Sequence, residues 1–255
     1  MLENTKPSPS RHPGLVPGPS AKESPILFST EMVKAILEGR KTQTRRVTGL
    51  DNINLYPDKC RLIGIHHRLG QRDLHVTFDL HKLNNQEFDR VTEKKLGTLK
   101  FPYGQIGDTL WVRETYWRHI NTPKDHAGIV PYQNCHYATL SGNNDAEWLK
   151  TWYVKKPAIH MPKTACRIWL TITDIRIERV QNISYKDAMA EGVQMTQDYW
   201  KDYNNTKGDT WTSNPKSSFE SLWRAINGNK SWVSNPWVWV IEFKRKPSPK
   251  TITGS

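Results

Sequence analysis

The chain of 255 residues carries 37 Lys and Arg against 25 Asp and Glu, a formal net charge of +12, which makes a polyanion, nucleic acid first, the default partner. Three scattered cysteines, Cys60, Cys135 and Cys166, show no CxxC spacing and cannot all pair within one chain, so a disulfide framework is excluded and a reducing, cytosolic setting is expected. No run of about 18 apolar residues exists and the N-terminus lacks the apolar stretch of a signal peptide, so neither a membrane partner nor secretion is expected.

Residues 1–24 hold five prolines, two glycines and four serines with almost no apolar periodicity. Such a segment buries too little surface to offset its ordering entropy, and a disordered basic arm is expected. Residues 246–255 resemble it and are expected to form a disordered tail, which leaves 25–245 as a single domain. Pro25 to Phe28 predicts a short buried strand. Ser29 is placed to cap a helix whose apolar face is Met32, Val33, Ile36 and Leu37, with Gly39 where a left-handed C-cap is wanted. The helix therefore delivers Arg40-Lys41-Thr42-Gln43-Thr44-Arg45-Arg46, a basic, hydroxyl-bearing stretch expected to be extended.

Residues 51–100 mix two expected strands, Arg61 to His66 and Leu74 to Leu80, with a polar segment from Asn84 to Lys95, and are expected to be an insertion. Gly107-Asp108 predicts a turn before a β-rich run in which Leu110, Val112 and Glu114 alternate with Trp111, Arg113 and Thr115. A second insertion, 119–160, begins with an expected loop from His119 to Asn144. Cys166 to Val180 is the longest strand pattern, with a phase shift near Asp174 that predicts a bulge. Ser184 to Asp187 resembles a capping box opening a short helix closed by Gly192, which leaves Glu191 at the C-terminus, where a carboxylate opposes the helix dipole and needs solvent or a cation. Gln194 to Lys216 predicts a loop, Ser217 to Ile226 a helix, and Trp237 to Phe243 a buried strand.

No HExxH or Cys/His ligand spacing is present, so no metal is expected, and the absence of a phosphate loop, a GxSxG elbow or a GxGxxG fingerprint argues against NTPases, α/β-hydrolases and dinucleotide enzymes. No cofactor is expected. Lys41 and Thr44 are three apart; on a straight strand they point to opposite faces, so joint action needs a bend or the reach of the lysine stem. By themselves Lys41, Arg45 and Arg46 read as phosphate-attracting or solvated surface.

A wider pattern changes that weighting. Gly39-Arg40-Lys41-xx-Thr44-x-Arg46, Gly107-Asp108 before a strand, Trp111-Val112-Arg113-Glu114-Thr115, His160-Met161-Pro162, the Asp187 to Gly192 helix end and Asn235-Pro236-Trp237-Val238 occur in an order that resembles the ASCH domain family. The likeness is to its larger bacteriophage and prophage members and spans Pro25 to Phe243, with residues 51–100 poorly matched. The resemblance implies an α+β fold, a PUA-like small mixed β-barrel with flanking short helices and a long insertion. Small bacterial members hydrolyse N4-acetylcytidine to cytidine, and motif matching carries their catalytic residues onto Lys41, Thr44 and Glu191. There a lysine of depressed pKa would deprotonate the threonine, the alkoxide would attack the amide, and the carboxylate would pass protons to the leaving amine. A Lys41–Glu191 ion pair would oppose that depression. Arg40, Arg45 and Arg46 are candidates for structure or substrate steering, and Trp111, Arg113 and Trp117 for lining the pocket by stacking and cation–π contact.

The expected function is therefore binding of RNA or a modified nucleoside in the host cytoplasm, DNA being a further option, with amide hydrolysis of N4-acetylcytidine as the concrete activity. A non-catalytic nucleic-acid-binding module is the alternative, and a ribonuclease a further one.

Overall fold

The computed structural model describes residues 21–67, 74–80, 98–121, 135–137, 147–204 and 210–247. Its centre is a mixed five-stranded sheet in the order β1 (Glu23–Leu27), β6 (Thr109–Arg113), β10 (Trp169–Arg179), β13 (Trp237–Lys246), β2 (Gln43–Arg46). Only β1 and β6 run parallel; the other pairs are antiparallel. The near-continuous apolar run of β13 follows from its inner position between β10 and β2, and Val238, Trp239, Val240 and Ile241 are all buried. The expected phase shift in β10 is a register slip between Ile172 and Asp174 against β13.

A second sheet, β3 (Cys60–His67), β4 (Leu74–Leu80) and β5 (Thr98–Lys100), is an antiparallel meander. The described part of 51–100 joins the central sheet: Ile53, Cys60, Leu74, Val76 and Phe78 pack in the same core cluster. Trp239 shows how the two are joined. Its ring meets Phe101 edge-on at 5.0 Å and its indole N–H donates to the Thr48 carbonyl, so the largest buried side chain also satisfies its polar atom.

A third sheet, in the order β8 (Cys135–Tyr137), β7 (Tyr116–His119), β9 (Tyr153–Lys156), carries a smaller core of Tyr116, Cys135, Tyr137, Met161, Ala165, Cys166 and Trp169. The strand at 135–137 corrects the expected loop from His119 to Asn144, because its ladder partner β7 lies outside the local sequence, while β7 itself ends the expected β-rich run after Gly107-Asp108. Likewise β11 (Trp200–Asp202) and β12 (Thr210–Thr212) form a hairpin in the expected Gln194 to Lys216 loop. Six helices occur among the described residues: α1 (Thr30–Leu37), α2 (Asp51–Asn54), α3 (Glu147–Trp152), α4 (Tyr185–Ala190), α5 (Pro215–Asn227) and α6 (Asn229–Val233).

The architecture is thus α+β, but no closed barrel forms among the described residues. Edge strands β1 and β2 share no backbone ladder; α1 connects them, and Arg46 Nη2 donates to the Leu27 carbonyl at 2.6 Å across the gap. Glu23 and Ser24 lie in β1, which corrects the upper bound of the expected arm, and Lys246 belongs to β13 and not to the tail. Residues 1–20, 248–255 and the Asn84 to Lys95 segment lie outside the described residues. No described helix is long and apolar enough to cross a membrane.

Candidate active site

The site forms where the turn after α1 meets the end of α4. Ser29 caps α1 by accepting from Met32 N–H, and Gly39 adopts φ +77°, which ends the helix and folds the chain back so that Arg40 and Lys41 N–H both donate to the Ala35 carbonyl. Lys41 then makes an isolated antiparallel bridge with Glu191, and Thr42 N–H donates to the Ala190 carbonyl. Gly192 is required at this crossing. Its φ is +82°, and an added Cβ would lie 2.6 Å from Lys41 Cβ and 2.9 Å from Ala35 Cβ.

Ser184 caps α4 through Asp187 N–H, and Glu191 stands at the opposite end. The dipole conflict expected there is resolved by Lys41, whose Nζ donates to the Glu191 backbone carbonyl at 2.7 Å and to its Oε2 at 2.8 Å. Both side chains are buried. The other carboxylate oxygen, Oε1, accepts from Arg45 Nη1 at 3.0 Å. Arg45 is itself shared, since its Nη2 donates to Glu178 Oε1 and lies 3.6 Å from Asp187 Oδ2. Behind it Arg176 bonds Asp187 and Glu242. Burial holds the Lys41 ammonium below its ordinary value of 10.5 against the opposing pull of Glu191. Burial likewise works to raise Asp187, yet its bond from Ser184 and the charges of Arg176 and Arg45 keep it below the usual carboxylate value.

Lys41, Thr44, Arg45, Arg46 and Glu191 line one cavity of about 260 Å³. Although successive residues of β2 face opposite sides of the sheet, Thr44, Arg45 and Arg46 all line it. Phe28, Met32, Phe219, Leu222, Trp223 and Ile226 supply apolar walls, from the β1–α1 corner and from α5. Thr44 is buried but makes no hydrogen bond to Lys41 or Glu191.

The remaining expected site residues lie elsewhere. Arg40 is outside the cavity lining and ties Gly192 O to Glu38, a structural clamp. Trp111, Arg113 and Trp117 do not line the cavity: Trp111 packs on the smaller core, Arg113 donates to the Met161 and Ile159 carbonyls, and Trp117 is buried under Lys155. An indole beside a guanidinium marks a stacking site only if it faces open space; Trp117 is buried, and the partly exposed Trp111 and Arg113 lie against each other away from the cavity. Conversely, the walls from Phe28, Phe219 and Trp223 went unassigned in sequence; the apolar stripe of the 217–226 helix was visible, but not the cavity it covers.

Among the described residues no group of three or more His, Cys, Asp or Glu could hold a metal ion. Chemically, the arrangement offers a buried amine whose pKa burial lowers, a hydroxyl in the same cavity and a carboxylate within reach of the amine. That combination supports proton transfer to and from a small bound molecule in a space too small for a duplex. Comparison of the chain with protein-family models, curated proteins and solved structures finds no match.

Proposed function

We propose that the cavity is the active site of a hydrolase acting on the amide of an acylated pyrimidine nucleoside, N4-acetylcytidine being the concrete substrate, free or within RNA. The observation that carries this reading is the buried Lys41–Glu191 pair at 2.8 Å in the wall of a cavity shared with Thr44. Neutral Lys41 takes the Thr44 hydroxyl proton as the oxygen attacks the acyl carbonyl. The amide C–N bond then breaks, the proton passes back through Lys41 or Glu191 to the departing amine, and water releases acetate from the threonine ester. Phe28, Phe219 and Trp223 pack the pyrimidine. The proposal includes kinship with ASCH proteins of phage type and a PUA-like architecture; its support is the residue pattern around Lys41, Thr44 and Glu191 and the approach of the β1 and β2 edges through Arg46 and Leu27.

The net charge of +12 favours a second reading, a nucleic-acid-binding module without turnover. Incubation of the protein with N4-acetylcytidine and with RNA containing it, followed by chromatography for cytidine, separates the two. Cytidine formation that disappears in Lys41→Met supports the hydrolase. No turnover at high protein concentration sinks it, salt-sensitive RNA binding alone then favours the module, and shortened RNA points to a nuclease.

A further inference from the structure

We infer that the cavity holds a phosphate on Arg46, so that the preferred ligand is a nucleotide and not a neutral nucleoside. This rests on the reading of the cavity as a nucleoside site. Three cations line the cavity, Lys41, Arg45 and Arg46, against one carboxylate, Glu191. Glu191 is engaged by both Lys41 and Arg45, and Arg45 has Glu178 and Asp187 behind it. Arg46 forms no ion pair among the described residues. Its guanidinium lies 4.9 Å from the Phe28 ring centroid, donates from Nη2 to the Leu27 carbonyl, and has an Nε closed off from solvent with no acceptor.

A guanidinium carries five N–H donors and cannot shed its charge in a protein, so a half-buried one with no carboxylate at ion-pair distance is stabilised by an incoming oxyanion. Its fork matches phosphate oxygens two at a time. Thr44 and Arg46 are two residues apart on β2 and share a face, which separates them by roughly 7 Å along the strand, a span that a base and sugar can fill. The reacting acyl group would then sit at Thr44 and the anion at Arg46, with the apolar walls between them. A terminal phosphate and a backbone phosphodiester carry the same chemistry.

Calorimetric titration of the full chain with cytidine, cytidine 5′-monophosphate, inorganic phosphate and a short single-stranded oligocytidylate tests this, beside Arg46→Gln and Arg46→Lys checked for fold by circular dichroism. The monophosphate should bind about tenfold or more tighter than cytidine. That preference should vanish in Arg46→Gln and shrink in Arg46→Lys, which keeps the charge but loses the fork and carries the test if the glutamine variant fails to fold. Oligocytidylate binding tighter than the monophosphate with the same Arg46 dependence assigns the phosphate to a strand; the reverse order assigns it to a terminus. Equal affinity for cytidine and its monophosphate overturns the anion site and leaves the nucleoside reading standing. Arg46-dependent binding of the monophosphate and of inorganic phosphate without any cytidine binding upholds the anion site and sinks the nucleoside reading. A preference that survives in both variants removes Arg46 from the role, and no binding by any probe overturns both.

Discussion

Glu114 and Glu191 are buried, ion-paired carboxylates in different cores of this molecule. In the smaller core Arg167 grips Glu114 through a two-point fork at 2.9 and 3.0 Å, and its guanidinium lies 4.0 Å from the Tyr137 ring centroid. In the larger core Lys41 meets the Glu191 carboxylate at a single oxygen and the backbone carbonyl beside it, the second carboxylate oxygen belongs to Arg45, and a cavity opens beside the pair. Each carboxylate is almost wholly buried. Burial of a charged pair is therefore not what distinguishes a site. The fork on Glu114 has the geometry of a structural clasp, whereas Arg45 duplicates the hold of Lys41 on Glu191, so the proposed function leaves the amine available for chemistry.

The largest expected effect breaks that contrast most directly. Lys41→Met should lower amide hydrolysis by about 10²–10⁴-fold, measured as cytidine release. Its cost in stability should be only roughly 1–2 kcal/mol, since Arg45 still compensates Glu191. A Lys41→Met chain that is unfolded, or folded and fully active, removes the distinction. Arg167→Met should do the opposite, costing about 3–5 kcal/mol in urea unfolding while the folded fraction keeps its turnover number. A loss of turnover per folded molecule there would make Glu114 part of the site.

Gly192→Ala is expected to cost about 1–3 kcal/mol, because the residue must take a positive φ and its methyl would collide with Lys41 and Ala35. Activity should fall with it, as the Lys41 backbone is pushed from Glu191. An unaltered melting temperature would show that the crossing of the two segments is looser than described. The smallest effect is a slope. With Lys41 below 10.5 in the folded state, the unfolded chain binds the extra proton between the folded value and 10.5. As far as this group is concerned, stability rises with pH across that window. Urea midpoints of the native chain and Lys41→Met, compared from neutral pH upward, should diverge in that sense; parallel curves would mean an ordinary lysine.

Much of the local structure was legible because it depends on short-range rules. Ser29 and Ser184 cap their helices, Gly39 and Gly192 take positive φ, and the β10 register slips near Asp174, each where side-chain chemistry or periodicity demanded it. The strand at 135–137 was not legible, since it is short and depends on a distant partner. Nor was the burial of Trp117, because an indole serves equally as core or as platform until its surroundings are known.

By itself the sequence determined a basic chain, the helix that presents Lys41 and Thr44, and a carboxylate at a helix end in need of a cation. Those are consequences of composition, periodicity and capping, which act over a few residues. The family resemblance pointed to Lys41 as the cation that answers Glu191, but only the tertiary structure decided that Arg45 answers it as well, that Arg46 has no carboxylate at ion-pair distance among the described residues, and that α5 closes a cavity around them. Those outcomes depend on bringing together segments about 150 residues apart, and no local rule measures such a contact.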